Sequence, residues 1–238
     1  EVQKSANERD IFNSDARRSQ MLSNMKALRE CKKATILNTG AWCLMKDVKS
    51  HLTQSLPGNN SYKYPIHHKP ADESIVNFLI KLYDDNPNVT INDFGAGVGQ
   101  YGHHLLAQRP EARYIGYDGA GDVEHYTQGF VKRFDLTLDL SLPIADWVLS
   151  IEVGEHIPHA FEQKVISNLH AHNRRGIILS WARLHQTGHG HINNHSLEYL
   201  KRIFETLGYV YDFTTSDQLR NDAKLPWLTH TIQVYRRL

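Results

Sequence analysis

The sequence predicts an α/β protein built on a mostly parallel sheet with helices on both faces. Three observations predict it. Short apolar runs alternate with segments of helical period from residue 71 onward. A glycine-rich turn, Asp93-Phe94-Gly95-Ala96-Gly97-Val98-Gly99, lies between an apolar run and a helix. Acidic residues stand at the ends of successive runs: Asp93, Asp118, Asp135 and Glu152.

Residues 1–30 are polar and helix-compatible, with Met21, Leu22, Met25 and Leu28 at helical spacing. A helix docked loosely on the body, or serving as a lid, is expected. Residues 31–70 are mixed: Thr39 to Leu44 is a compact apolar patch, 56–61 reads as a turn, and Pro65 and Pro70 keep the chain extended. Asp72 caps a helix whose apolar face is Ile75, Val76, Leu79, Ile80 and Tyr83, ended by Asn86-Pro87-Asn88. Then follow strand 89–94, helix 99–108, strand 113–118, a short helix near 121–127, and strands 130–134 and 147–152. Helix 159–172, strand 176–181 and helix 195–207 come next. Strands 208–212 and 229–235 close the chain as an antiparallel hairpin, with 213–228 a long polar loop. The expected fold is a Rossmann-like, seven-stranded, mostly parallel sheet. Two units are expected: an N-terminal helical extension or lid, 1–70, and the main domain, 71–238.

Hydrophobic residues make up 40% of the 238 and charged residues 22%, ordinary for a globular chain. The net charge of +1 gives no argument for a nucleic-acid partner or an acidic membrane surface. No apolar run reaches membrane-spanning length. The chain begins at Glu1 rather than Met, so loss of an upstream targeting or anchor segment is an expectation. Cys31 and Cys43 are too few for a disulfide framework, so free thiols in a reducing, cytoplasmic setting are expected.

The glycine-rich turn lets backbone N–H groups approach a ligand. Nineteen residues after Gly99, Asp118 ends the next apolar run, where a carboxylate can take both hydroxyls of a ribose. Gly97-Val98-Gly99-Gln100-Tyr101-Gly102 also satisfies a dinucleotide fingerprint. The register argues against that cofactor, because the first glycine after the strand is Gly95 and an acid precedes it. Asp93 suits an ammonium-bearing cofactor without a pyrophosphate, and S-adenosylmethionine has that chemistry.

With Asp135 after the third run, Ile151-Glu152-Val153-Gly154-Glu155-His156 after the fourth and Trp181 after the fifth, the chain resembles the class I S-adenosylmethionine-dependent methyltransferases over roughly 71–238. The resemblance implies methyl transfer to an oxygen or nitrogen of a small molecule. It implies cofactor contacts from Asp93, Phe94, Gly95, Gly97, Gly99, Tyr101, Asp118, Asp135, Leu136 and Glu152. His156 is the candidate general base, and Glu152 and His191 complete the catalytic candidates. Trp42, Trp181, His191 and Asn193 are the candidate acceptor contacts, with Gly188 and Gly190 permitting loop closure.

That reading carries no metal. A sharper alternative does: Glu152-x-x-Glu155-His156 resembles the metal-binding step of the small-RNA 3′-end methyltransferases, which add a later histidine, here His191. Glu152, Glu155, His156 and His191 would then hold a divalent ion that grips a sugar diol, in 2′-O-methylation of RNA ends or sugars. Outside catalysis, the alternative is a binding protein on the same scaffold.

Overall fold

The computed structural model describes residues 18–44, 70–139 and 141–238 in full, and the backbone alone of 53–56 and 59–65. The expected turn at Pro57-Gly58 lies outside the described residues. Strands β1 (Thr53–Leu56) and β2 (Asn59–Pro65) pair antiparallel, so the N-terminal extension is not all helical. The main sheet contains β3 (Thr90–Phe94), β4 (Arg113–Asp118), β5 (Val131–Arg133), β6 (Ala145–Ile151), β7 (Asn173–Ser180), β8 (Tyr209–Tyr211) and β9 (Gln233–Arg237). Its order is β5-β4-β3-β6-β7-β9-β8, parallel up to β7 and antiparallel at β9 and β8. Strand order reverses between β3 and β6, the place where open α/β sheets bind ligands.

Local chemistry explains the elements that frame this crevice. Asp72 caps the helix Glu73–Asp85 by accepting from Ser74 N–H at 2.9 Å. Its other oxygen accepts from the N–H groups of Lys224 and Leu225, which ties the C-terminal segment to this helix. The turn after β3 folds back on β4 through Gly95 N–H and Ala96 N–H, both donated to Tyr117 O. Gly95 has φ +80°, and a Cβ there would lie 2.2 Å from Val153 Cγ2, so only glycine fits. Apolar residues fill both faces of the sheet. Ile75, Leu79, Ile91, Leu105 and Leu149 lie in one cluster, and Phe94, Val148, Leu169, Ile177 and Phe204 in the other.

Three features differ from expectation. The stretch 213–228 is no loop: a helix covers Phe213–Asp222, capped by Asp212, which accepts from Thr215 N–H. Only Ser216 and Leu219 of that helix are buried, so its sequence lacks the apolar stripe that marks a helix. Residues 229–235 begin as a helical turn, Leu228–Thr231, and become strand only from Gln233.

The second difference concerns the helix at 18–31. Met21, Leu22, Met25 and Leu28 are exposed, and the opposite face docks. Ala27 and Cys31 are buried, and the Arg133 guanidinium donates to Ser23 Oγ and Asn24 Oδ1 at 2.8 and 2.7 Å. Gly121 makes the close approach possible, since a Cβ there would meet the Ala27 backbone at 2.3 Å.

Third, Cys31 and Cys43 are not free thiols but form a disulfide. The chain between them doubles back through Gly40, with an isolated bridge between Ile36 and Trp42 and Cys43 N–H donated to Thr35 O at 2.7 Å. That fold-back brings the two Cα atoms to 5.2 Å, within bridging range. A closed loop of this size contributes about 3 kcal/mol through unfolded-state entropy. Among the described residues, no helix is long and apolar enough to cross a membrane.

Candidate active site

A cavity of about 520 Å³ opens along the carboxyl ends of the parallel strands. That volume is within the range of small-molecule and cofactor sites. Gly95, Gly97 and Tyr101 line it after β3, Asp118 and Gly119 after β4, and Asp135 and Leu136 after β5. Glu152, Val153 and His156 line it after β6, and Gln186 to His189 and His191 contribute after β7. Thr39 to Trp42 also line it, brought there by the disulfide-closed loop.

On the β4 side, Asp118 accepts from Gly97 N–H and Ala120 N–H, both at 2.8 Å, one on each oxygen. Each oxygen keeps a lone pair for a ligand hydroxyl. Burial pushes this carboxyl up to about 6 against those two bonds. Asp135 accepts from Thr137 N–H and Thr137 Oγ, with Arg133 3.5 Å from its other oxygen. Tyr101 Oη accepts from Asp72 N–H at 3.4 Å, so its own proton remains to be donated.

On the β6 side, Glu152 has φ +56°, a strained conformation for a residue with a side chain. Ser180 holds it there: its Oγ accepts from Glu152 N–H and donates to Glu152 Oε1, both at 2.8 Å. Three residues on, Glu155 is fully buried, and neither carboxylate oxygen has a hydrogen-bond partner of normal geometry. Burial, then the neighbouring Glu152 carboxylate, raises Glu155 well above the usual carboxylate range. Ligand atoms of Glu155, His156 and His191 lie within 4.8 Å of one another. His156 Nδ1 and His191 Nδ1 face the carbonyls of Gly190 and Gln186, both at 3.3 Å. The second nitrogen of a metal-bound imidazole typically does the same. Burial foremost, with the nearby His191, pulls His156 down to about 4, so its ring is neutral at pH 7.

A second network holds the β7 loop against this step. Glu162 accepts from Tyr199 Oη, His195 Nε2 and Asn193 Nδ2. Ile192 N–H and Asn193 N–H donate to Glu155 O at 2.8 and 3.0 Å.

The cavity thus brings together Gly95, Gly97, Tyr101, Asp118, Asp135, Leu136, Glu152, His156, His191 and Trp42. Five expected residues stand behind its wall. Asp93 is buried and accepts from Tyr114 Oη at 2.6 Å, and Phe94 is core, edge-on to Tyr117. Gly99 abuts Phe130. Trp181, expected at the acceptor, is buried beneath Gly154 and donates to Asn193 O at 2.6 Å. Asn193, also expected there, is buried and donates its amide to Glu162 at 3.0 Å. Glu152, proposed with the metal candidates, falls outside the close Glu155–His156–His191 group. Leu225, Trp227 and Leu228 line the cavity unforeseen, because their segment reads as polar loop.

Solved structures of similar shape settle the architecture. A small-RNA methyltransferase, HEN1, matches with a TM-score of 0.52 at 17% identity, over 69% of this chain and 25% of that one. The chain has the Rossmann-like fold of these methyltransferases. CalS10, an amino pentose methyltransferase from Micromonospora echinaspora, matches this methyltransferase fold at TM-score 0.50 and 12% identity, over 70% of this chain and 90% of that one. Magnesium protoporphyrin IX methyltransferase from Synechocystis PCC 6803 matches at 0.46 and 19%, over 69% and 82%. No family model matches the chain, and no curated protein matches it by sequence.

Proposed function

We propose that this chain is an enzyme that methylates an oxygen or nitrogen of a small molecule, with S-adenosylmethionine as methyl donor. The observation that carries the reading is the continuity of the cavity, which runs from Asp118 and Gly97 on one side to His156 and His191 on the other. The cofactor supplies an already activated methyl group. The residues of the chain therefore act mainly by holding two ligands in line, an effect worth about 7–11 kcal/mol.

Asp118, fixed by two backbone N–H groups, accepts from a ribose diol. Leu136 offers an apolar wall for a base, and Asp135 is fixed beside it by Thr137. The Tyr101 hydroxyl donates to a carboxylate. Trp42 and the β7 loop close over the acceptor and exclude water. The acceptors of HEN1 and CalS10, as their names state them, are small RNA and an amino pentose, so the fold leaves the acceptor open.

A metal-assisted form of this reaction is the second reading, and the buried Glu155 carboxyl, which faces the Glu152 carboxyl rather than a donor of normal geometry, favours it. A buried carboxylate is costly unless a cation or proton meets it. Glu155, His156 and His191 are a donor set that suits a divalent ion, with Glu152 adjacent. Such an ion supplies Lewis acidity and a grip on paired hydroxyls. At about 4, His156 is a weak base at neutral pH but a good neutral ligand, which favours ligation over the general-base role.

Calorimetry tests both readings. S-adenosylmethionine and its demethylated product should each bind, and failure of both would end the proposal. Activity that survives exhaustive chelation would remove the metal.

A further inference from the structure

We infer that the chain holds a zinc site outside the cavity, formed by His159, Glu162 and His195, and that an ion bound there pins the loop after β7. The site shares no ligand with the Glu155–His156–His191 group and does not depend on the methyltransferase reading.

The fold brings the three side chains together from two directions. His159 opens the 3₁₀ turn His159–Phe161, and Glu162 is the first residue of the helix Glu162–Ala171 that follows. Side chains three residues apart in such a turn lie over one another. His195 arrives from the end of the β7 loop, just before Ser196, which caps the helix Leu197–Thr206. One ligand atom from each of the three residues lies within 4.8 Å of the other two. Glu162 Oε2 faces His159 Nδ1 at 3.1 Å, and it faces His195 Nε2 as well. Two imidazole nitrogens therefore converge on one carboxylate oxygen.

The surroundings are those of a built site rather than a surface ion pair. The Glu162 side chain is 4% exposed, and an acid so buried needs partners. Tyr199 Oη donates to its Oε1, and Asn193 Nδ2 donates to Oε2 at 3.0 Å, so the carboxylate is aimed by groups that are not ligands. The His195 ring is stacked on Tyr199 at 4.2 Å, and its backbone N–H donates to Ala182 O at 3.0 Å. His159 is the opposite case: its side chain is 73% exposed, which gives an ion a path from solvent and leaves one ligand free to adjust. Tetrahedral zinc, with bonds of about 2.0–2.1 Å, holds its ligand atoms about 3.3 Å apart. Small side-chain adjustments reach that spacing. Two neutral imidazoles and one carboxylate, with a fourth place for water, suit zinc, whereas magnesium and calcium take oxygen sets.

The consequence lies in the loop. A bound ion ties His195 to the start of the helix Glu162–Ala171. Just before His195 in the chain, Ile192 N–H and Asn193 N–H donate to Glu155 O, and His191 lines the cavity. The ion would thus hold the segment that carries His191, a positioning role with no part in the chemistry.

The test uses the full chain stripped of metal, with Zn²⁺ followed by calorimetry and Co²⁺ by its visible absorption. The double substitution Glu155→Gln, His191→Ala removes the other donor group. That protein should still bind one Zn²⁺ with a Kd below about 10 μM and show the strong bands of tetrahedral Co²⁺. Adding His159→Ala, at an exposed position, should weaken Zn²⁺ by at least about 100-fold and abolish the bands. In the same background, Zn²⁺ should slow amide exchange at Ile192 and Asn193 by at least about tenfold, and His159→Ala should remove that slowing. If the double variant does not fold, His159→Ala alone should remove one bound Co²⁺ from the wild-type chain. No Zn²⁺ binding by the folded background protein, or binding that His159→Ala leaves within about threefold, overturns the site. Binding that leaves exchange at Ile192 and Asn193 unchanged overturns the pinning of the loop. Neither readout involves the cofactor, so failure to bind S-adenosylmethionine would overturn the methyltransferase reading and leave this inference standing.

Discussion

Replacing Asp93 by asparagine should make the ligand-free protein more stable at pH 8, because Asp93 is an ionisable group that the fold strands. It lies in the central strand β3, between β4 and β6, and is 2% exposed. Burial pushes its carboxyl from 3.8 up to about 7, with the Asp118 charge adding to the rise and the Tyr114 hydroxyl opposing it. The folded form holds its proton more tightly than the unfolded chain. Its stability contribution is therefore complete below pH 3.8 and lost as pH rises through 7. At 1.36 kcal/mol per pKa unit, the full loss is about 4 kcal/mol, of which about 3 falls between pH 5 and pH 8.

The substituted carboxamide carries no charge and keeps an acceptor for Tyr114, at a cost of about 1 kcal/mol for the weaker bond. Urea unfolding of both proteins, read at several pH values from about 5 to 8, measures the difference directly. The gap should move by about 3 kcal/mol in favour of the variant as pH rises. A gap that stays constant to within about 0.5 kcal/mol would show that the carboxylate is stabilised where it stands, and the argument from burial would fail. Cofactor affinity of the wild type should also rise over this pH range, because an ionised Asp93 favours a cationic ligand, and the variant should lose that rise.

Asp118→Ala should weaken cofactor binding by about 100-fold in calorimetry, while circular dichroism shows the fold retained. Glu155→Gln should lower the affinity for Mn²⁺, measured by electron paramagnetic resonance, by at least about tenfold, with cofactor affinity kept. Gly40→Ala should cost at least about 2 kcal/mol in thermal or urea unfolding, since φ is +89° and a Cβ would stand 2.1 Å from His156 O. Reducing the disulfide should lower Tm by roughly 6–12 °C in a calorimetric scan, from about 3 kcal/mol at this chain length.

Periodic apolar segments were legible. β3, β4, β6 and β7 and the helices at Glu73–Asp85, Gln100–Gln108 and Leu197–Thr206 stand within a few residues of expectation because each gives apolar side chains to the core. The helix Phe213–Asp222 was illegible for the converse reason: its buried residues are one serine and one leucine, and a cap rather than a stripe defines it. At residues 18–31 the helix was legible but its orientation was not. Four apolar side chains marked the wrong face, because a buried guanidinium, Arg133, recruits the polar one. The disulfide joins two cysteines whose proximity depends on a fold-back around Gly40 that no periodicity announces.

The site followed the same rule. Residues in the first turn after a strand, such as Gly97, Asp118 and His156, reach the cavity because the sheet delivers strand ends to one edge. Residues farther from a strand end depended on loop geometry, so His191 reached the cavity while Asn193, two positions on, turned back to Glu162. The acids themselves make the physical logic clearest. Asp93, Asp118, Glu152 and Glu155 all stand at or just beyond the carboxyl ends of β3, β4 and β6, and burial raises every one of them. Four stranded carboxylates along one edge weaken an empty protein. The same four would favour a cationic ligand, because a cation gains most where negative charge is least solvated. On the proposed reading, the instability of the empty site and a preference for cationic ligands share one origin, and stabilising the first by substitution should erode the second.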